Sequence, residues 1–112
     1  MTKYKRCDLK FSASIQKKVD EAFIELNRLV SDLEITDRTS DSIKEYIVKF
    51  YIEAPESRIQ ARTLVTCLTY LISSRNNEII SLSTLAYVSD ISIDWLNKQK
   101  RKIARLIGFE FT

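Results

Sequence analysis

Arg58-Ile-Gln-Ala-Arg-Thr-Leu-Val-Thr-Cys-Leu-Thr-Tyr-Leu-Ile-Ser-Ser-Arg75 is followed by Ser81-Leu-Ser-Thr-Leu-Ala-Tyr-Val-Ser89. Ile91-Ser-Ile-Asp-Trp-Leu96 then leads into a basic run that ends at Gly108. The first segment predicts a helix over residues 59–74 with apolar side chains on several faces: Leu64, Val65, Cys67, Leu68, Tyr70, Leu71 and Ile72. A helix that is apolar almost all round must be enclosed by other helices. Ser81 predicts the cap of a short fourth helix carrying Leu82, Leu85, Ala86 and Val88. Ser89-Asp-Ile-Ser reads as a turn, Ser92 caps a fifth helix, and Gly108 stops that helix as a left-handed terminal residue does. Buried helix, short helix, turn and basic helix together read as a helix-turn-helix held against a central rod.

Working outward, the rest of the chain supplies helices to surround that rod. Ile15, Val19, Ala22, Leu26, Leu29 and Leu33 recur at spacings of four and three, widened by Phe23 and Val30. This predicts an amphipathic first helix capped by Ser12 or Ser14, with Lys17, Lys18, Glu21, Glu25 and Arg28 outward. The apolar pattern stops at Ile35, too early for a sustained coiled coil. Polar Thr36–Asp41 precedes a second helix predicted over residues 40–54, with Ile43, Ile47, Phe50 and Tyr51 inward. Pro55 ends it by disfavouring helical geometry at Ala54. Residues 1–11 read as a basic leader, 12–108 as one helical domain, and 109–112 as a tail whose aromatics could fold back. Tyr46, Tyr70 and Tyr87 are expected in the core or at its rim.

Composition points the same way. One Gly and one Pro in 112 residues leave little material for a turn-rich β fold or a glycine-rich phosphate loop. An all-α domain with short polar connections is the expectation. No His is present, and Cys7 and Cys67 stand far apart, which excludes the common zinc arrangements and a disulfide framework. Nothing pairs a nucleophile with a base, so no enzyme activity, cofactor or small-molecule substrate is expected. Neither a secretory leader nor a membrane span is visible, and the cysteine usage suits a reducing, cytoplasmic setting.

The charge distribution is more telling than the net charge of +3. Between Ser92 and Gly108, Lys98, Lys100, Arg101, Lys102 and Arg105 face one anion, Asp94, leaving the remainder of the chain at −1. On a helical projection Leu96, Gln99, Ile103, Leu106 and Ile107 fall on one side, with Lys98, Arg101, Lys102 and Arg105 opposite. Such asymmetry suits an anionic partner, and the second helix of a helix-turn-helix is the one that enters the major groove of double-stranded DNA. Asn97 and Lys98 would lie nearest the bases, and Arg101, Lys102 and Arg105 nearest phosphate. Ser92 offers a cap and, secondarily, a phosphate contact. The competing account is a solvated face whose cations complement the negative end of the helix dipole. Trp95, at the border of the two faces, is a candidate protein-interface anchor.

Glu25-Leu-Asn-Arg-Leu-Val-Ser-Asp-Leu33, Ile47-Val-Lys-Phe-Tyr51 and Leu64-Val-Thr-Cys-Leu-Thr-Tyr70 occur in an order that resembles one cyclin-type repeat of the transcription factor IIB family. The likeness continues through Ser81-Leu-Ser-Thr-Leu-Ala86, Val88-Ser-Asp-Ile-Ser-Ile-Asp-Trp-Leu96 and Ile103-Ala-Arg105, spanning Ser14 to Gly108. It implies a five-helix cyclin box around a buried third helix. It also implies binding to the TATA-box-binding protein, flanking promoter DNA and the RNA polymerase machinery. Arg58-Ile-Gln60 stands where that family has Gly-Arg-Ser, Ile80 where it has Pro, and Lys100 where it has Tyr. The family's zinc ribbon, linker and second repeat have no counterpart in these 112 residues. An archaeal or viral accessory regulator is therefore the expectation, and a lone repeat exposes a surface that suits a protein partner or a homodimer.

Overall fold

In the computed structural model, residues 13–108 are described, and they form five helices. These are α1 (Ala13–Leu33), α2 (Asp37–Glu53), α3 (Ala61–Arg75), α4 (Leu82–Ser89) and α5 (Ile93–Ile107). The leader, the tail and the capping role of Ser12 lie outside the described residues, and Ser14 falls inside α1.

α3 is the centre of the bundle and packs on each of the other four helices. Leu64, Val65, Cys67 and Leu68 are completely buried, and Leu71 and Ile72 nearly so. The buried Thr66 and Thr69 hydroxyls are satisfied within the helix. Thr66 Oγ1 donates to the Arg62 carbonyl at 2.7 Å and Thr69 Oγ1 to the Val65 carbonyl at 2.7 Å. Back-bonding of this kind lets Thr occupy a dry helix without an orphaned polar group. Around the rod, α1 buries Val19, Ala22, Leu26 and Leu29, and α2 buries Ile43, Ile47, Phe50 and Tyr51.

The helix ends follow a rule that composition hides. α1, α3 and α4 are each followed by a non-glycine residue in the left-handed region: Glu34 (φ 54°), Asn77 (φ 62°) and Asp90 (φ 57°). In each case the next amide reaches back to a carbonyl five residues earlier: Ile35 to Val30, Glu78 to Ser73 and Ile91 to Ala86. These are Schellman closures built without glycine, and only Gly108 (φ 68°) uses the residue that makes the geometry easy. α2 ends differently, at Glu53, with Pro55 two residues on as expected.

α2 also begins earlier than the polar run suggests. Thr36 is its cap, its side chain accepting from the Thr39 amide at 3.3 Å. Glu78, just beyond α3, reaches the same place. Its carboxylate accepts from the Thr36 amide (2.9 Å), the Thr36 hydroxyl (2.7 Å) and the Thr39 hydroxyl (2.6 Å). Asn76 Nδ2 in turn donates to Thr39 Oγ1 at 3.0 Å. Partial desolvation pushes the Glu78 carboxyl up, but the hydrogen bonds from Thr39 and Thr36 outweigh it and hold its pKa below the ordinary value.

Two side chains expected to point outward are tied down. Lys18 donates to the Pro55 and Ser57 carbonyls at 3.3 and 3.1 Å, fastening α1 to the connection before α3. Glu25 Oε1, shielded from solvent, lies 3.0 Å from Arg28 and 3.6 Å from Arg62.

Candidate nucleic-acid interface

α4 and α5 are joined by Asp90, Ile91 and Ser92 alone. The left-handed Asp90 turns the chain, and Ser92 Oγ accepts from the Trp95 amide at 3.1 Å to start α5. Ser81 starts α4 in the same way, accepting from Thr84 at 3.1 Å. The pair is anchored from beneath. Buried Ser89 lies 2.8 Å from Thr66 Oγ1, and because the Thr66 proton goes to Arg62, Ser89 is the donor. Leu85 of α4 and Leu96 of α5 are both completely buried, and Cys67 Sγ lies 3.8 Å from the Leu96 carbonyl. Burial raises the Cys67 thiol to about 12, despite the opposing influence of Lys100, so this cysteine is an inert filler at neutral pH.

The α5 projection divides as predicted, with corrections. Leu96, Gln99, Ile103 and Ile107 are buried, but Leu106 is 45% exposed and Ala104 takes the buried place instead. At about 100° per residue, Leu106 and Ala104 both lie some 80° from the Ile103–Ile107–Leu96 centre, on opposite flanks. The Ala104 flank is covered, whereas the Leu106 flank opens on a groove. Tyr87, expected in the core or at its rim, is 88% exposed, because short α4 turns its Leu85 side inward. Tyr46 and Tyr70 do sit at the rim.

Lys98, Arg101, Lys102 and Arg105 are all exposed. They span an arc of about 100°, and none is paired with a carboxylate among the described residues. Lys100 is drawn away from this face, half-buried with its Nζ 5.0 Å from the centre of the Tyr70 ring. Asn97 is exposed one step from the arc, nearer the turn. Ser92 is exposed too, and its hydroxyl is engaged as the cap.

Trp95, 47% exposed, lies on the other flank, beside Lys102 in projection. There a groove of about 590 Å³ runs between α5 and the segment leading into α3. Arg58 and Gln60 form its far side, and neither stands out in the sequence, since only the packing of α3 against α5 brings them opposite Lys102. Gln99 also lines it, and a lone amide within an otherwise apolar stripe was the one sequence signal available.

No helix among the described residues is long and apolar enough to cross a membrane. No known family model matches this chain, and no curated protein or solved structure does either.

Proposed function

We propose that this chain is a DNA-associated regulator of transcription, similar to a single transcription factor IIB cyclin-type repeat. In this reading α4 and α5 act as a helix-turn-helix on promoter DNA. The supporting observation is the face made by Lys98, Arg101, Lys102 and Arg105, exposed and free of carboxylate partners, on the second helix of that pair. Cations stabilising only the bundle are commonly drawn into ion pairs or over rings, as Arg62 and Lys100 are here. Four left clear on one face are placed to displace counterions from a phosphate backbone. Asn97 and Lys98 are the base-reading candidates, and two such side chains support only weak sequence discrimination.

The test is a titration of duplex DNA at several salt concentrations. Affinity should fall steeply with salt, and Arg101→Ala with Arg105→Ala should flatten the logarithmic slope by about two ion equivalents. Binding insensitive to salt, or none, counts against the reading.

A second reading has its own support: an interaction module or adaptor that engages a protein such as the TATA-box-binding protein or polymerase, or a second copy of itself, without touching DNA. Trp95 and Leu106, both about half exposed and flanking one groove, favour it. Their replacement, and not charge reversal at Lys98 and Arg105, should then abolish the complex.

A further inference from the structure

We propose that the groove between α5 and the segment preceding α3 is a docking site for an acidic amphipathic helix of a partner protein, seated over Gln99 between Arg58 and Lys102. The proposal gives the protein-interaction reading a location and does not depend on DNA contact.

Gln99 is the key residue. It is only 8% exposed, and its side-chain amide makes no hydrogen bond among the described residues. Its polar atoms are not sealed from solvent, since the one sealed side-chain polar atom without a hydrogen-bond partner among the described residues is Glu25 Oε1. The accessible surface Gln99 retains opens on the groove whose wall it forms. The amide is therefore placed to receive a polar group from outside the bundle.

The surroundings define that group's carrier. Phe50, Ile59 and Ile103 make an apolar floor, and Trp95 and Leu106 stand half exposed at its edge. Trp95, Gln99, Lys102 and Leu106 follow one stripe of α5 for three turns, about 16 Å, the reach of a short amphipathic helix. Arg58 and Lys102 supply positive charge from the two sides, and no carboxylate lines the groove. Gln60, the cap residue of α3, makes no side-chain bond to that helix, which leaves the positive end of the α3 dipole on the same side. The complement is a segment with apolar anchors, flanking Glu or Asp, and a polar group for Gln99. A nucleic-acid backbone matches the cations but would leave Trp95 and Leu106 uncovered.

Trp95 is the only tryptophan, so its fluorescence reports on the groove directly. The probe is a synthetic helical peptide of about fifteen residues with Leu and Phe at i, i+4 and i+7 and Glu elsewhere, compared with its Lys-substituted twin and a single-stranded oligonucleotide. The acidic peptide should shift Trp95 emission to the blue and move the Gln99 side-chain amide resonances. Arg58→Glu with Leu106→Ser should weaken it at least tenfold, while Arg101→Ala with Arg105→Ala, which tests DNA contact, should leave it unchanged. Gln99→Leu should raise the Tm yet weaken the peptide severalfold, a combination that a purely structural Gln99 does not produce. No response to the acidic peptide, equal response to its basic twin, or a response to the oligonucleotide in its place overturns the proposal.

Discussion

Glu34, Asn77 and Asp90 carry a strain that the rest of the chain sustains. Each holds the left-handed conformation, which costs an L-residue about 1–2 kcal/mol, least for Asn and Asp, whose short side chains bond locally. Glu has no such relief. Replacing Glu34 with glycine removes the steric cost and adds back about 0.5–1 kcal/mol of unfolded-state entropy. Glu34→Gly should therefore stabilise the protein by up to about 1 kcal/mol in urea unfolding, whereas a loss of stability would show the closure at Ile35 to depend on the glutamate side chain. The same residues mark where sequence reading falls short. Glycine announces a left-handed helix end, as at Gly108, but Glu34 and Asn77 look like ordinary polar positions until backbone geometry is known.

At the scale of elements, the order and faces of the helices are legible, because a period of 3.6 in apolar residues directly encodes which side is buried. The start of α2 is not. Its first turn, Asp37 to Ser40, contains no apolar residue, so periodicity places the beginning near Ser40, whereas Thr36 and Glu78 begin it at Asp37. That junction makes a pH prediction. The Glu78 carboxyl titrates below its ordinary value of 4.5 in the folded protein, so folding favours its ionised form. Its contribution is complete above the ordinary value and disappears as pH falls through the depressed folded value. Glu78→Gln should cost about 1 kcal/mol at pH 7, as charged hydrogen bonds are exchanged for neutral ones, with the deficit shrinking as pH falls below the ordinary carboxyl value. Unfolding midpoints of both proteins across that range provide the check, and a constant deficit would refute it. The groove lies further from view. Arg58 is distant in sequence from Gln99 and Lys102, and only the seating of α5 on α3 brings it opposite them.

For the whole molecule, one rod holds the fold and sets the position of the α4–α5 pair. α3 touches every other helix, so a void in it should be felt throughout. Leu68 is completely buried, and Leu68→Ala should cost about 2–5 kcal/mol in a single cooperative transition. Separate unfolding of α4 and α5 would contradict a shared core. The same rod turns the buried stripe of α5 inward and so leaves Lys98, Arg101, Lys102 and Arg105 facing out. That face as the DNA-docking surface is the central claim, and a titration of the labelled protein with duplex DNA, followed by nuclear magnetic resonance, tests it most directly. The account predicts shifts concentrated at Asn97, Lys98, Arg101, Lys102 and Arg105, with the outer face of α1 around Lys17 and Arg28 unmoved. Shifts centred on α1, or none on α5 at saturating DNA, would contradict it.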